Sequence, residues 1–187
     1  MDNLKDVSDE DIVRKILQGE EELFAEIVRR FQKRIVNIGM MFFRNRDDAL
    51  DFAQEVFVRA YEGLASYGGK AKFRFWITKV AYHHGINTAK SGTRPESLTE
   101  HAWEGDAPND GFEKDEIRKA LKKAVEALPE HYRVCVDLYF FYELSYGEIS
   151  KITGFPVNTI KSHVFRAKQM LRDALRGSAA EEYHEMR

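Results

Sequence analysis

A segment with helical periodicity near the end of the chain carries side chains suited to binding nucleic acid. At about 100° per residue, its apolar residues fall on one narrow stripe: Ile160, Val164, Ala167, Leu171 and Leu175. The opposite face carries basic, polar and aromatic groups: Lys161, Ser162, Phe165, Arg166, Gln169 and Arg172. Lysine and arginine bind phosphates and guanine edges, serine donates or accepts hydrogen bonds, and an aromatic ring meets the thymine methyl group. The pattern predicts a surface that contacts duplex DNA.

Phe165 is the most informative residue of this surface, because an exposed phenyl ring is unfavourable unless something covers it. Solvated lysines occur on many helices and need no further explanation, whereas a phenyl ring among them does. One interpretation is that Phe165 contacts a ligand. The alternative is that it packs against a neighbouring helix of the same protein.

A second group of candidate binding residues lies between Tyr67 and Asn87, where aromatic and basic residues are interleaved. A glycine-containing loop from Tyr67 to Lys70 comes first and can line a pocket. The helical run after it has a predicted core face: Phe73, Trp76, Ile77, Val80 and Ala81. Its other residues are predicted to point partly outward: Phe75, Lys79, Tyr82, His83 and Asn87. Such groups can stack on unpaired bases and follow a single strand; the alternative is a small aromatic core covered by lysine stems.

A third candidate surface is acidic. Asp48, Asp51 and Glu55 are spaced i, i+3 and i+7, so they share one face of the helix that is predicted around them. Carboxylates clustered on one helix face suit a contact with a basic surface of another protein. We therefore expect this face to bind a partner protein rather than nucleic acid.

The overall charge excludes a protein that coats DNA by electrostatics alone, because 29 Lys and Arg residues nearly balance 31 Asp and Glu residues. The charges are instead segregated along the chain. Residues 63–95 contain no acidic side chain, residues 91–116 carry a net charge of −6, and residues 155–176 carry +4. Two basic regions joined by an acidic connector indicate two contacts with a polyanion. The alternative is that solvated helix faces differ in charge by chance.

Chemistry at a catalytic or metal centre is not indicated. The chain has one cysteine, Cys135, and lacks the P-loop, zinc-protease and nucleophile-elbow motifs. His83 and His84 point about 100° apart on a helix, and no carboxylate or cysteine completes a metal site. We therefore expect no enzyme activity, no metal and no cofactor. There is no 18-residue apolar run and no apolar signal segment at the start, so a soluble, cytoplasmic protein is expected.

The elements that must position these residues all read as helices, and no strand pattern occurs. Ser8 is the predicted cap of the first helix, and Asp47 or Asp48 opens the third. Glycine, proline and polar residues without a sustained period mark a linker over 91–113, which contains the isolated Trp103. The prediction is an all-α protein of two small helical domains, 8–90 and 114–177, joined by a flexible acidic linker.

The second domain contains a predicted helix-turn-helix. Ser145 and Glu148 form a capping box at the start of a short helix that stops at Gly154. Pro156 forbids continuation, and a long basic helix starts at Val157 or Asn158. In such motifs the second helix enters the major groove.

Taken together, the chain resembles a bacterial extracytoplasmic-function (ECF, group IV) sigma factor over residues 10–176. Four segments carry the resemblance, in order and in spacing. The family's polymerase-clamp helix is similar to residues 24–34 together with 48–61, and its −10 recognition helix is similar to 73–81. The opening of its second domain is similar to 128–133, and its −35 reader is similar to 144–166.

The resemblance implies binding to promoter DNA and to core RNA polymerase, through the β′ clamp and the β flap. Clamp contact is implied for Asp48, Asp51, Gln54 and Glu55. Capture of unpaired −10 bases is implied for Tyr67, Lys70, Lys72, Lys79, Tyr82, His83 and Asn87. Reading of the −35 duplex is implied for Thr159, Lys161, Ser162, Phe165 and Arg166. An anti-sigma factor is a further implied partner. His83 stands where the family often has Asn, so the resemblance does not define the −10 base preference, and the imidazole can add pH sensitivity.

Two rival functions follow from the same residues. A dimeric helix-turn-helix regulator would bind a palindromic site, although the sequence has no heptad seam. An enzyme would need a catalytic motif, and none is present. Gel filtration with and without core polymerase separates the regulator from a sigma factor.

Overall fold

The computed structural model describes residues 6–43, 45–90 and 112–176. Within these ranges every regular element is helical and none is a strand, which confirms the predicted all-α fold. The described residues form two compact units, one that precedes residues 91–111 in the sequence and one that follows them. The predicted linker lies outside the described residues except for its last two, and Trp103 also lies outside them. The domain limits 8–90 and 114–177 stay predictions.

The described part of the first unit contains four α-helices: α1 Asp9–Leu17, α2 Phe24–Phe43, α3 Arg46–Glu62 and α4 Phe73–Lys90. Ser8 caps α1 as predicted, since its Oγ accepts a hydrogen bond from the Asp11 N–H at 3.1 Å. Asn45 caps α3 by accepting from the Asp47 N–H at 2.9 Å. The helix therefore begins at Arg46, before the predicted Asp47 or Asp48, because the Asn45 amide oxygen satisfies its first turn.

The α2 and α3 helices pack closely and leave the outer face of α3 to solvent. A Cβ atom on Gly39 would lie 2.9 Å from the Ala49 Cα, so the glycine permits this approach. Behind it, Phe73 of α4 is fully buried and meets the ring of Phe31 edge-on at 5.5 Å. The first unit is therefore built around α2, which contacts the other three helices.

The prediction that Phe75 and Tyr82 of α4 point partly outward was wrong. Their side chains are buried, with 9% and 7% of their surface exposed. A single core face was assumed for α4, but α1, α2 and α3 all contact this helix. Contacts on several sides cover residues that a one-sided pattern places in solvent.

The second unit also contains four helices: α5 Phe112–Glu126, α6 Glu130–Val136, α7 Tyr146–Thr153 and α8 Val157–Leu175. The predicted capping box is present at Ser145 and Glu148. Gly154 ends α7 in the left-handed region with φ +79°, which glycine adopts without strain. Pro129 is the residue directly before α6.

A wide helical turn, Asp137–Phe141, follows α6 and was not predicted. Tyr142 N–H donates to the Asp137 carbonyl at 3.1 Å, and Leu144 N–H donates to the Leu138 carbonyl at 3.0 Å. The turn buries Leu138 and leaves Phe140 and Phe141 exposed. It also places Asp137 where burial raises the pKa of its carboxyl from 3.8 to about 7, against a smaller opposing effect of Arg133.

Replacing Asp137 with asparagine is expected to stabilise the second unit at pH 8 by about 1–2 kcal/mol. The full pKa shift corresponds to about 4 kcal/mol, and the half-buried position beside Arg133 leaves a smaller gain. Between pH 3.8 and about 7 the folded state binds this proton and the unfolded state does not. Stability is therefore lost as the pH rises through that range. Hydrogen exchange of the α6 and α8 amides in the full chain measures the change.

The gain from Asp137→Asn is expected to shrink as the pH falls from 7 toward 4. Asp173→Asn is the matched control, because the Asp173 side chain is 65% exposed on the same unit. That control is expected to change exchange little at either pH. A gain from Asp137→Asn that is as large at pH 5 as at pH 8 would contradict the assignment.

Candidate nucleic-acid interface

The α8 face consists of Lys161, Ser162, Phe165 and Arg166, on the helix-turn-helix element that packs its other side into the core. The buried side carries Ile160, Val164 and Ala167. All four members of the α8 face are exposed. Phe165 leaves 61% of its surface in solvent, so the alternative that it packs against a neighbouring helix of the second unit is wrong. Thr159, the fifth residue predicted here, is half-buried.

Neighbouring groups orient two polar members of the α8 face. Ser162 donates its hydroxyl hydrogen to the Asn158 carbonyl at 3.0 Å, which directs its remaining lone pairs outward. Arg166 Nη1 lies 3.5 Å from the Tyr132 hydroxyl oxygen, a long contact that leaves the guanidinium exposed. The Tyr132 ring is held in turn against His131 at 4.1 Å and His163 at 5.2 Å. A positive, aromatic surface on the second helix of the motif is suited to the edges of base pairs.

Tyr146 is a candidate contact that sequence reasoning missed. It begins α7 and lines the same open cleft as Lys161, Phe165 and Lys168. Its ring stacks on Tyr139 at 4.8 Å with an interplanar angle of 7°. Its position directly after the Ser145 cap was the available signal, since the start of the first helix in this motif lies beside the second.

The α4 face consists of Lys79, His83 and Asn87, which are spaced i, i+4 and i+8 and are all exposed. Partial burial, with a smaller effect of Lys79, lowers the pKa of His83 below its ordinary 6.5. The imidazole is therefore mostly neutral at pH 7, and its ring nitrogens can donate one hydrogen bond and accept another. This stripe is the part of the predicted α4 surface that the structure leaves open.

The 67–72 loop presents Lys70 and Lys72, which are exposed. Tyr67 has 9% of its surface exposed, and its ring meets Phe73 edge-on at 5.4 Å. Its hydroxyl donates to the Ala71 carbonyl. Tyr67, which was predicted as a −10 contact, is therefore buried by packing against Phe73.

Tyr82 is also unavailable for stacking, because it lies in the interior of the first unit. Its ring packs edge-on against Phe42 at 5.5 Å, and 7% of its surface is exposed. The aromatic rings of this region thus form a core, as the alternative interpretation held, while the basic and amide side chains remain outside. Of the seven predicted −10 contacts, the structure presents Lys70, Lys72, Lys79, His83 and Asn87 to solvent.

The α3 face consists of Asp51, Gln54 and Glu55, which are exposed on the first unit. Glu55 Oε2 lies 2.8 Å from His84 Nε2 of α4, and the His84 ring stacks on Phe52 at 5.2 Å. Asp48 is half-buried and accepts a hydrogen bond from the Asn45 amide at 3.1 Å. The structure therefore brings three of the four predicted residues into one open acidic surface.

Two apolar side chains lie next to this acidic surface and were not predicted to take part. Leu50 is 41% exposed and Val58 is 58% exposed. Sequence reasoning searched α3 for carboxylates and missed them, although Leu50 directly precedes Asp51 and Val58 follows Glu55 by three residues. Exposed apolar side chains beside carboxylates fit a protein contact in which an apolar centre has a polar rim.

Across residues 6–43, 45–90 and 112–176, no group of three or more histidine, cysteine or carboxylate side chains could hold a metal ion. Cys135 is buried, and burial raises the pKa of its thiol to about 11. Its Sγ lies 3.7 Å from His163 Nδ1. Within these ranges, no helix combines the length and the apolar character that are needed to span a membrane.

Two family models match the chain, one in each unit. Residues 27–94 match sigma-70 region 2 and residues 118–171 match sigma-70 region 4. The matches place α4 in region 2 and the helix-turn-helix in region 4. A region 2 unit followed by a region 4 helix-turn-helix defines the class of protein: a sigma-70-type transcription initiation factor.

Relatives refine this class. The chain is 31% identical to the RNA polymerase sigma-H factor of Pseudomonas aeruginosa, over 89% of this chain and 93% of that protein. It is 29% identical to the ECF RNA polymerase sigma-E factor of Escherichia coli K12, over 88% and 93%. The chain belongs to the ECF family of RNA polymerase sigma factors, which confirms the resemblance found in the sequence and favours it over the dimeric regulator.

A solved structure supports the fold. The sigma factor RpoE of Bartonella quintana, crystallised with the anti-sigma factor NepR, matches with a TM-score of 0.63. The match covers 82% of this chain and 97% of that one at 18% identity. At this identity the likeness concerns the fold alone.

Proposed function

We propose that this sigma factor binds the −35 element through the α8 face and the −10 element through the α4 face and the 67–72 loop. Core RNA polymerase would bind the α3 face. The observation that carries the proposal is Phe165, which is 61% exposed among cations on the second helix of the motif. A phenyl ring exposed between basic residues on the second helix of such a motif favours a surface that a partner covers.

At the −35 element, α8 would lie in the major groove. Arg166 and Lys161 suit guanine edges or phosphates, and Phe165 suits the methyl group of thymine. Tyr146 at the start of α7 would contact the adjacent backbone. Each well-formed base contact contributes about 1–3 kcal/mol of discrimination against the wrong base.

At the −10 element, the exposed groups would bind unpaired non-template bases and their phosphates. Lys70, Lys72 and Lys79 supply positive charge, while neutral His83 and the Asn87 amide supply directional hydrogen bonds. Tyr67 and Tyr82 would support this surface from the interior. The absence of acidic residues from 63 to 95 avoids repulsion of the strand.

Docking on polymerase would use the carboxylates of Asp51 and Glu55 against the basic coiled coil of the β′ clamp, with Leu50 and Val58 adding apolar contact. Because the relative RpoE is solved with an anti-sigma factor, we propose that a protein of that kind also holds this chain inactive. The anti-sigma factor would release the chain before it binds polymerase.

The isolated chain is expected to give no sequence-specific shift of duplex DNA at physiological salt. About five phosphate contacts give a salt slope near −4 to −5 and weak affinity for a small module. Specificity is expected only once polymerase holds both units on one promoter, because the second contact then becomes intramolecular. Run-off transcription across a promoter library, with and without core enzyme, measures this.

The control for that experiment is core enzyme alone on the same library. Discrete new start sites that require this chain support the proposal. Tight specific binding by the chain without polymerase, or no new start site in its presence, would contradict it.

A further inference from the structure

The N-terminus of α4 cannot be capped by its own sequence. Lys72 precedes the helix, and its carbonyl accepts from the Phe75 N–H at 3.0 Å, but its side chain has no acceptor. The first turn of α4 contains no acidic residue, and neither does the whole of 63–95. Helix N-termini leave N–H groups without an intrahelical partner. A side-chain acceptor for the remaining N–H groups can come only from another part of the chain, and without one these groups depend on water.

Glu10 of α1 supplies that acceptor across 63 residues of sequence. Its Oε1 accepts a hydrogen bond from the Phe73 N–H at 2.8 Å. The carboxylate also places negative charge at the positive end of the α4 dipole. Phe73 is fully buried, so its N–H would be poorly solvated without Glu10.

The position of α1, and so of Glu10, is itself fixed by α2. Arg30 Nη1 donates to the Val7 carbonyl at 2.9 Å and to Asp9 Oδ1 at 2.7 Å. These groups lie directly before and at the start of α1. Ile12, Val13 and Ile16 of α1 are buried beneath. Glu10 therefore acts from a rigid helix rather than from a loop.

The 67–72 loop lies immediately before the turn that Glu10 holds. At its first end, Tyr67 is buried and its hydroxyl donates to the Ala71 carbonyl. Gly68 and Gly69 follow in the left-handed region, with φ +63° and +68°. At its other end the chain enters α4 at Phe73. The two lysines of the loop are thus presented from a segment that is tied on both sides.

We propose that Glu10 is a positioning residue for −10 recognition. It holds the first turn of α4 and, through it, the backbone that presents Lys70 and Lys72. The proposal rests on the proposed function of the α4 face and the 67–72 loop. A preorganised loop loses less conformational freedom when it binds, so Glu10 acts on affinity for the strand without touching it.

The test compares Glu10→Ala with Glu10→Gln in holoenzyme reconstituted from the full chain and core polymerase. The probe is the fluorescent single-stranded non-template strand of a promoter selected by run-off transcription. Glu10→Ala is expected to weaken the affinity of the holoenzyme for this strand about fivefold. Losing a helix cap destabilises a helix end by a comparable factor, and the loop before α4 depends on that end. Glu10→Gln keeps an amide oxygen acceptor and is expected to stay within about twofold of the original chain.

Glu22→Ala is the matched control, because it removes the same charge from an exposed position of the same unit. It is expected to leave strand affinity unchanged, and all three variants are expected to bind core enzyme like the original chain. A loss of strand affinity with unchanged affinity for core enzyme distinguishes a positioning role from a general loss of folded structure.

Three results would overturn the proposal. They are an unchanged strand affinity in Glu10→Ala, an equal loss in Glu10→Gln, and a parallel loss of core binding in Glu10→Ala. Holoenzyme with the original chain that fails to bind the strand would instead refute the proposed function of the −10 surface.

Discussion

Reversing the charge of the α3 face, with Asp51→Lys and Glu55→Lys together, is expected to weaken binding to core RNA polymerase at least a hundredfold. Both side chains are exposed on one surface of the first unit, and each reversal replaces an attraction to the basic clamp with a repulsion. Like charges brought together across an interface cost several kcal/mol. Titration of fluorescent chain with core enzyme measures the dissociation constant, and run-off transcription is expected to fail with it.

Two further variants make that result interpretable. Asp51→Lys alone leaves the Glu55–His84 hydrogen bond of 2.8 Å in place, so its loss of binding reports surface charge and not the contact with α4. Glu20→Lys with Glu22→Lys changes the net charge equally at exposed positions before α2 and is expected to bind core almost normally. Core affinity that drops equally in both double variants would show a response to net charge alone.

The helix-turn-helix could be predicted because its signals are local. The capping box at Ser145 and Glu148, the left-handed Gly154 and the helix-blocking Pro156 lie within twelve residues. Each acts on the backbone within one turn of itself. The exposed side of α8 followed from periodicity alone, because its buried residues, Ile160, Val164 and Ala167, lie on one side of the helix, although α5, α6 and α7 all contact it.

The interior of the first unit could not be predicted in the same way. Helical periodicity finds one buried face, whereas α1, α2 and α3 all contact α4, so Phe75 and Tyr82 are buried as well. The hydrogen bond from the Phe73 N–H to Glu10 joins residues 63 positions apart, and no local pattern signals it. Tertiary packing decided both outcomes.

Sequence reasoning predicted the charged residues of the candidate polymerase surface, but it did not predict the apolar residues beside them. A search for i, i+3 and i+7 carboxylates finds Asp48, Asp51 and Glu55, but it does not report that Leu50 and Val58 lie exposed beside them. Exposure of an apolar residue depends on which faces of α3 other helices cover. The wide turn at Asp137 was missed for a similar reason, since nothing local distinguishes it from continued α-helix.

Phe165→Ala and Arg166→Ala are each expected to lower transcription from selected promoters about tenfold, in the lower half of the range for one lost base contact. Arg166→Ala is also expected to relax the preference at one −35 position, as the loss of a guanine contact does. Phe165 is 61% exposed, so its removal is expected to change the free energy of unfolding by less than about 0.5 kcal/mol. Run-off transcription on promoter variants, with circular dichroism in parallel, measures both effects.

Met170→Ala and Arg172→Ala are the matched controls, since both residues are exposed and further along the same helix. Base contacts in a helix-turn-helix come from the first part of the second helix, so these changes are expected to leave promoter preference intact. If Arg172→Ala weakens promoter binding, the loss is expected to be similar on every promoter, as it is when a phosphate contact is lost. Binding of core enzyme is expected to stay unchanged in all four variants, because all four changes are at exposed positions of α8 and leave the α3 face intact. If Phe165→Ala holoenzyme transcribed the selected promoters at the original rate, the exposed ring would have to serve a partner other than the −35 element.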